Sequence, residues 1–96
     1  MTTKTASHTD PNLEKLCGED LLPVGPELAE AVNRRVGIRL TTGGALYDAA
    51  RIGTKTRNGG RVLLEAIRAG KRRYSSVAAV IRWTRAVAIA DAEGLR

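Results

Sequence analysis

The sequence predicts a mainly α domain with a small β-hairpin, and three observations point there. Apolar residues recur at helical spacing in three separate stretches, each preceded by a capping signal. Between the second and third lies Gly70-Lys71, flanked by short runs suited to paired strands. The chain has 96 residues, about one small domain, which leaves no room for a second domain beside a large catalytic cleft. Apolar residues make up 43% and charged residues 27%, an ordinary globular balance, yet Phe is absent and Tyr47, Tyr74 and Trp83 are the whole aromatic set. The core must therefore be built from Leu, Val, Ile and Ala.

Residues 1–11 are rich in Thr and Ser and nearly free of apolar side chains, so they cannot offset the entropy of ordering and are expected to form a mobile tail. Residues 12–25 hold Leu13, Leu16, Leu21, Leu22 and Val24, interrupted by Gly18, Pro23 and Gly25, and read as an acidic lead-in: a short helical turn, then extended chain. The domain proper is expected over residues 26–90. Gly25-Pro26-Glu27 is a helix start, with Pro26 where no amide hydrogen is needed and Glu27 near the positive end of the macrodipole. Behind it Leu28, Ala31, Val32 and Val36 form one apolar face that ends before Gly37. Thr41-Thr42 supplies a capping hydroxyl for the next helix, which runs towards Gly53 with Leu46, Ala49 and Ala50 inward and Gly44, Tyr47, Asp48 and Arg51 on the opposite face.

Residues 53–61 have no apolar side chain and read as a mobile, glycine-rich basic loop. Over residues 62–75 two readings stand. Leu63-Leu64-Glu65-Ala66-Ile67-Arg68-Ala69 would make a helix capped by Gly70, whereas a Gly70 turn would make a hairpin, and propensity alone does not choose. Ser75 or Ser76 then caps a last helix in which Val77, Val80, Ile81, Thr84 and Val87 recur at helical spacing, with Trp83 beside the stripe and Arg82 and Arg85 outside. Residues 91–96 are expected to fray.

The chemistry-bearing inventory is short. Cys17 has no cysteine partner, and His8 is the one histidine and lies in the expected tail, so neither a zinc cage nor a histidine base is expected. Asp48 and Glu65, the carboxylates of the basic half, read as ion-pair partners of nearby arginines rather than as an acid/base pair. The Gly43-Gly44 and Gly59-Gly60 pairs lack the Lys-Ser/Thr of a phosphate loop. No enzyme, cofactor, metal or small-molecule substrate is expected. Neither a membrane-spanning run nor a secretory leader is visible, so the expected compartment is the cytoplasm.

The net charge is +6, and its distribution says more than its total. Residues 1–33 carry −4, residues 34–85 carry +11 and the last eleven carry −1. Concentrated basicity of this kind points to a polyanionic partner.

Two helices joined by a turn, a basic loop, a hairpin and a further helix follow the order of a winged helix-turn-helix. The stretch Val62-x-Leu64-Glu65-x-x-Arg68-x-Gly70-x-x-Arg73-x-Ser75-Ser76-x-x-Ala79-Val80-x-x-Trp83 resembles the excisionase-like and MerR-like winged helix-turn-helix domains of short bacterial or mobile-element proteins. In that family such a run is a hairpin wing followed by a capped helix that packs back on the core, and Thr42 to Gly53 is similar to the family's recognition helix. The resemblance spans a little over half of the chain. It implies sequence-specific binding to double-stranded DNA, as a recombination directionality factor or as a transcriptional regulator.

On that reading Tyr47, Asp48 and Arg51 face base edges in the major groove, where Arg51 suits guanine and Asp48 either accepts from cytosine or neutralises Arg51. Arg34, Arg35 and Arg39, with Thr41 and Thr42, lie before the helix and suit phosphates, as do Lys55 and Arg57 in the loop. Lys71, Arg72 and Arg73 surround the hairpin turn and suit the flanking backbone or minor groove. Arg82 and Arg85 read as facing solvent or a protein partner, and Trp83, Val80 and Leu46 as core. A recombinase or a second copy of the chain is a further expected partner, with the last helix as the candidate surface. The alternative is an adaptor whose basic face binds an acidic protein, the acidic lead-in acting as a built-in competitor. RNA binding is the weaker third reading, since single strands want aromatic platforms.

Overall fold

The structure, a computed structural model, describes residues 11–94; most of the expected tail, with His8, and the last two residues lie outside the described residues. The elements run α1 (Pro11–Leu16), β1 (Leu21–Pro23), α2 (Pro26–Val36), α3 (Gly43–Arg51), β2 (Thr54–Lys55), β3 (Arg61–Val62), β4 (Ile67–Ala69), β5 (Arg72–Ser76) and α4 (Val77–Glu93). Among the described residues four helices accompany two small antiparallel sheets, β1-β5-β4 and β2-β3, giving a mixed α/β fold with more strand than a mainly α chain with one hairpin. No helix among the described residues is long and apolar enough to cross a membrane.

Leu28, Ala29 and Val32 of α2, Leu46 and Ala49 of α3, and Ala79 and Val80 of α4 form the core, joined by Leu16 of α1 and Leu64. Burying each of the Leu and Val side chains contributes about 1.5–3 kcal/mol. Trp83 packs against this cluster half-buried, and its indole N–H is buried without a partner among the described residues. The lead-in is part of the fold. Leu16 is buried in the core, and β1 pairs antiparallel with β5 so that Leu21, Leu22 and Pro23 lie opposite Ser76, Ser75 and Tyr74.

Residues 67–76 form the hairpin, not a helix. Ile67, Arg68 and Ala69 pair with Tyr74, Arg73 and Arg72, leaving Gly70 and Lys71 at the turn. Gly70 has φ +65°, the left-handed conformation that a two-residue type II′ turn demands of its first central position. Pairing on both edges of β5 outweighs the helical propensity of Leu63–Ala69. Upstream of β4, the Leu64 N–H donates to the Ala49 carbonyl (3.0 Å), and the buried Ser75 hydroxyl donates to the Glu65 carbonyl (2.5 Å). Ser76 then caps α4, its hydroxyl accepting from the Ala79 N–H at 2.9 Å.

Residues 54–62, read from the sequence as a loop, form a two-stranded ribbon with Thr54 opposite Val62 and Lys55 opposite Arg61. α4 runs past Ala90 to Glu93, and side chains of its last turn accept hydrogen bonds from the ribbon.

Candidate functional site

Thr42 begins the first surface of interest. Its hydroxyl accepts from the Ala45 N–H at 3.2 Å, which starts α3 and turns Leu46 and Ala49 inward. The opposite face is exposed and carries Tyr47, Asp48 and Arg51, as their spacing predicts. Arg51 and Asp48 approach to 3.8 Å, both well exposed, a pairing worth little in water. Tyr47 is 46% exposed and its ring is approached by two guanidinium groups, Arg51 at 5.9 Å and Arg73 at 5.8 Å from the centroid. Each such contact at an exposed site contributes about 0.5–1 kcal/mol. Because Arg73 lies on β5, this ring ties α3 to the β4–β5 hairpin. Between them is a cleft of about 250 Å³ lined by Tyr47, Lys71, Arg72, Arg73 and the start of α2.

The connection between α2 and α3 is set by one side chain that the sequence pattern does not single out. Asn33 donates through Nδ2 to the Thr41 carbonyl (2.9 Å) and accepts through Oδ1 from the N–H groups of Leu40 (2.8 Å) and Thr41 (3.0 Å). The long connection is thereby closed on the end of α2. Arg34, Arg39 and Thr42 line one open groove along it, while Arg35 is exposed nearby. Arg34 is ion-paired with Glu30 at 2.7 Å in full solvent. Thr41 differs from expectation: it is largely buried, and its hydroxyl donates to the Thr42 carbonyl, so it has little surface to offer a phosphate. Gly43 answers a close approach, since a Cβ there would stand 2.6 Å from the Pro26 nitrogen.

Lys55 and Arg57 lie on the β2–β3 ribbon, exposed and beyond the C-terminal end of α3, not in the α3–hairpin cleft. Arg82 is exposed on α4, as its spacing predicts, but its guanidinium is engaged within the chain. It donates to Glu19 at 2.8 Å and to Glu65 at 2.6 Å, with Lys15 at 4.0 Å from Glu65. The Ser76 hydroxyl also donates to Glu19, and these two donors hold the Glu19 carboxyl below its usual range, Arg82 contributing most. Both partners in turn raise the Arg82 pKa. No local signal announces this cluster, since Glu19 and Arg82 are far apart in sequence.

No protein-family model, curated protein or solved structure matches the chain. The chemistry must therefore be read from the surface itself. No group of His, Cys, Asp and Glu side chains suited to a metal occurs among the described residues. Asp48 and Glu65 are both engaged by arginines. What the surface presents is a helix face of phenol, carboxylate and guanidinium beside a hairpin of four exposed or half-exposed cations, Arg68, Lys71, Arg72 and Arg73. Such groups bind anions and hydrogen-bond planar acceptors.

Proposed function

We propose that this chain is a double-stranded DNA-binding domain of the winged helix-turn-helix kind, with α2 and α3 as the helix pair, α3 in the major groove and the β4–β5 hairpin as the wing on the flanking backbone or minor groove. The observation that carries the reading is the join between the two: Arg73 of the hairpin and Arg51 of α3 share the Tyr47 ring. Arg68 and Arg73 lie directly opposite on the hairpin, a like-charge pair that costs stability unless a polyanion neutralises it. Arg51 reads base edges, Asp48 orients it, and Lys71, Arg72 and Arg73 hold phosphates. An excisionase-like directionality factor and a transcriptional regulator both use this chemistry.

The test is fluorescence anisotropy against duplex DNA, single-stranded DNA and RNA at low salt and at fourfold higher salt. Neutralising about four phosphates gives a salt slope near −3.6, so duplex affinity falls roughly a hundredfold over that range. Arg51→Ala relaxes sequence preference, whereas Arg72→Ala with Arg73→Ala weakens all duplexes alike. An affinity indifferent to salt, or no duplex binding together with a stable complex with an acidic protein, overturns the proposal.

A further inference from the structure

The β2–β3 ribbon shares the unusual charge arrangement of the β4–β5 hairpin. Lys55 and Arg61 are directly opposite on its two strands, so both side chains leave the same face, and both are exposed. Arg57 adds a third exposed cation between them, and none of the three has an ion-pair partner among the described residues. Like charges facing each other across a two-residue ribbon work against its formation. Something else must hold it.

Two sets of hydrogen bonds do so. Within the turn, the Thr56 N–H donates to the Gly60 carbonyl (3.0 Å), the Thr56 hydroxyl approaches Asn58 Oδ1 (2.5 Å), and the Gly60 N–H donates to the same Oδ1 (3.1 Å). From outside, the last turn of α4 grips it: the Arg57 N–H donates to Asp91 Oδ1 at 3.0 Å and Asn58 Nδ2 donates to Glu93 Oε1 at 3.2 Å. Gly94 lies so close that an added Cβ would overlap the Arg57 backbone. Carboxylates in the last turn of a helix oppose its macrodipole, and α4 has no basic residue there to offset them. Their contacts with the ribbon give them a purpose. The grip takes the backbone of Arg57 and leaves its guanidinium outside.

The placement follows from the chain. The ribbon continues from the C-terminal end of α3 through Gly53, whereas the β4–β5 hairpin lies beside Tyr47, and β5 runs directly into the first turn of α4. The two basic hairpins are therefore joined to opposite ends of α4, a helix about 25 Å long at 1.5 Å per residue. A major groove is about 12 Å wide. Elements so separated are about twice as far apart as that groove is wide, so the ribbon reaches backbone outside the groove that α3 enters and suits phosphates rather than base edges.

We infer that the β2–β3 ribbon is a second phosphate-binding element, contacting the duplex through Lys55, Arg57 and Arg61 and held in position by Asp91 of α4. The inference rests on the DNA-binding reading and adds a contact beyond the helix and wing. The experiment measures the salt dependence of duplex affinity for the wild type, for the triple variant Lys55→Ala, Arg57→Ala, Arg61→Ala, and for Asp91→Ala and Asp91→Asn, with circular dichroism melts as the folding control. The ribbon steepens the wild-type slope by up to about 2.7 beyond the roughly −3.6 of helix and wing, since each phosphate accounts for about 0.9, and the triple variant is expected to lose that increment with sequence preference retained. Asp91→Ala removes a negative charge, which by field alone tightens polyanion binding; a positioning role instead weakens it severalfold, and Asp91→Asn, which keeps the acceptor oxygen, restores it. If the wild type binds duplex steeply with salt and the triple variant does the same, the ribbon inference fails and the DNA reading stands. If the wild type does not bind duplex at low salt, both fail. Should Asp91→Ala not fold, the triple variant decides.

Discussion

Replacing Asn33 with Ala tests how α3 is held. Three hydrogen bonds disappear, but they are not equivalent. The Leu40 N–H keeps a second acceptor, the Ile38 carbonyl at 3.0 Å. The Thr41 N–H and carbonyl lose their Asn33 partners, and Thr41 is 8% exposed, so water reaches it poorly. Leaving two such groups unpaired costs about 1–1.5 kcal/mol each, or ~2–3 kcal/mol together. For a domain of this size that lowers the melting temperature by roughly 10–20 °C. Urea unfolding followed by circular dichroism reads the loss directly, and amide exchange adds the location, since protection should fall at Leu40 and Thr41 before it falls in α4. A loss below about 0.5 kcal/mol, the ordinary range of a surface substitution, would refute the claim that Asn33 closes the α2–α3 connection.

The remaining predictions concern packing, charge and the shared ring. Gly43→Ala should destabilise by about 1–3 kcal/mol, because its Cβ would stand 2.6 Å from the Pro26 nitrogen, whereas Gly44→Ala, with nothing within 4 Å, should stabilise by up to about 1 kcal/mol; melts of equal midpoint would count against this account of the α2–α3 crossing. The Glu19 pKa is lowered in the folded state, so its contribution to stability is present above the ordinary carboxylate range and is lost as pH falls through the lowered value. Glu19→Gln should remove that acid-dependent part from urea midpoints measured between about pH 7 and about pH 2, and an unchanged profile would remove the cluster from the stability argument. Tyr47→Phe keeps the ring that Arg51 and Arg73 approach and should keep most of the duplex affinity, while Tyr47→Ala should lose about 1 kcal/mol, near fivefold. Equal losses in both would assign the effect to the phenolic hydroxyl instead.

The elements legible in the sequence are those whose signals are local. Pro26, Thr42 and Ser76 mark helix starts by chemistry that acts within one turn, and the apolar spacing behind each marks Leu28, Leu46 and Val80 as core. The exposed face of α3 follows from the same periodicity. What stays ambiguous or hidden depends on partners distant in sequence. Leu63–Ala69 reads as helix by propensity, and β5 overrides it because β1, some fifty residues earlier, pairs with its other edge. Asn33 looks like one more polar residue on an outer helix face until the connection folds back on it. The ribbon has almost no apolar side chain, so a hydrophobicity pattern could not distinguish it from loose chain; it is held by backbone donors and Asn58, which pattern reading does not weigh.

The same long-range contacts bear on the acidic lead-in. A built-in competitor for a basic face must be free to reach that face and to leave it. This segment is tied down at three points: Leu16 is 1% exposed in the core, β1 is paired along β5, and Glu19 is held by Arg82 and Ser76. Arg82 binds Glu65 as well, so one cation of the basic block is used in joining α1, α4 and the start of the hairpin. Ten cations have no ion-pair partner among the described residues; Arg35, Arg39 and Arg85 lie elsewhere, but seven, Arg68 included, lie on the two hairpins. Lys55, Arg57 and Arg61 on one ribbon, and Lys71, Arg72 and Arg73 on the other, have no ion-pair partners among the described residues, and two cross-strand pairs set like charges face to face. Acids that would relieve this repulsion are present in the chain, yet the fold directs Glu19 and Glu65 to Arg82 instead. Repulsion kept in the free domain at both hairpins and removable by a bound polyanion favours the DNA-binding reading over a basic surface that merely aids solvation.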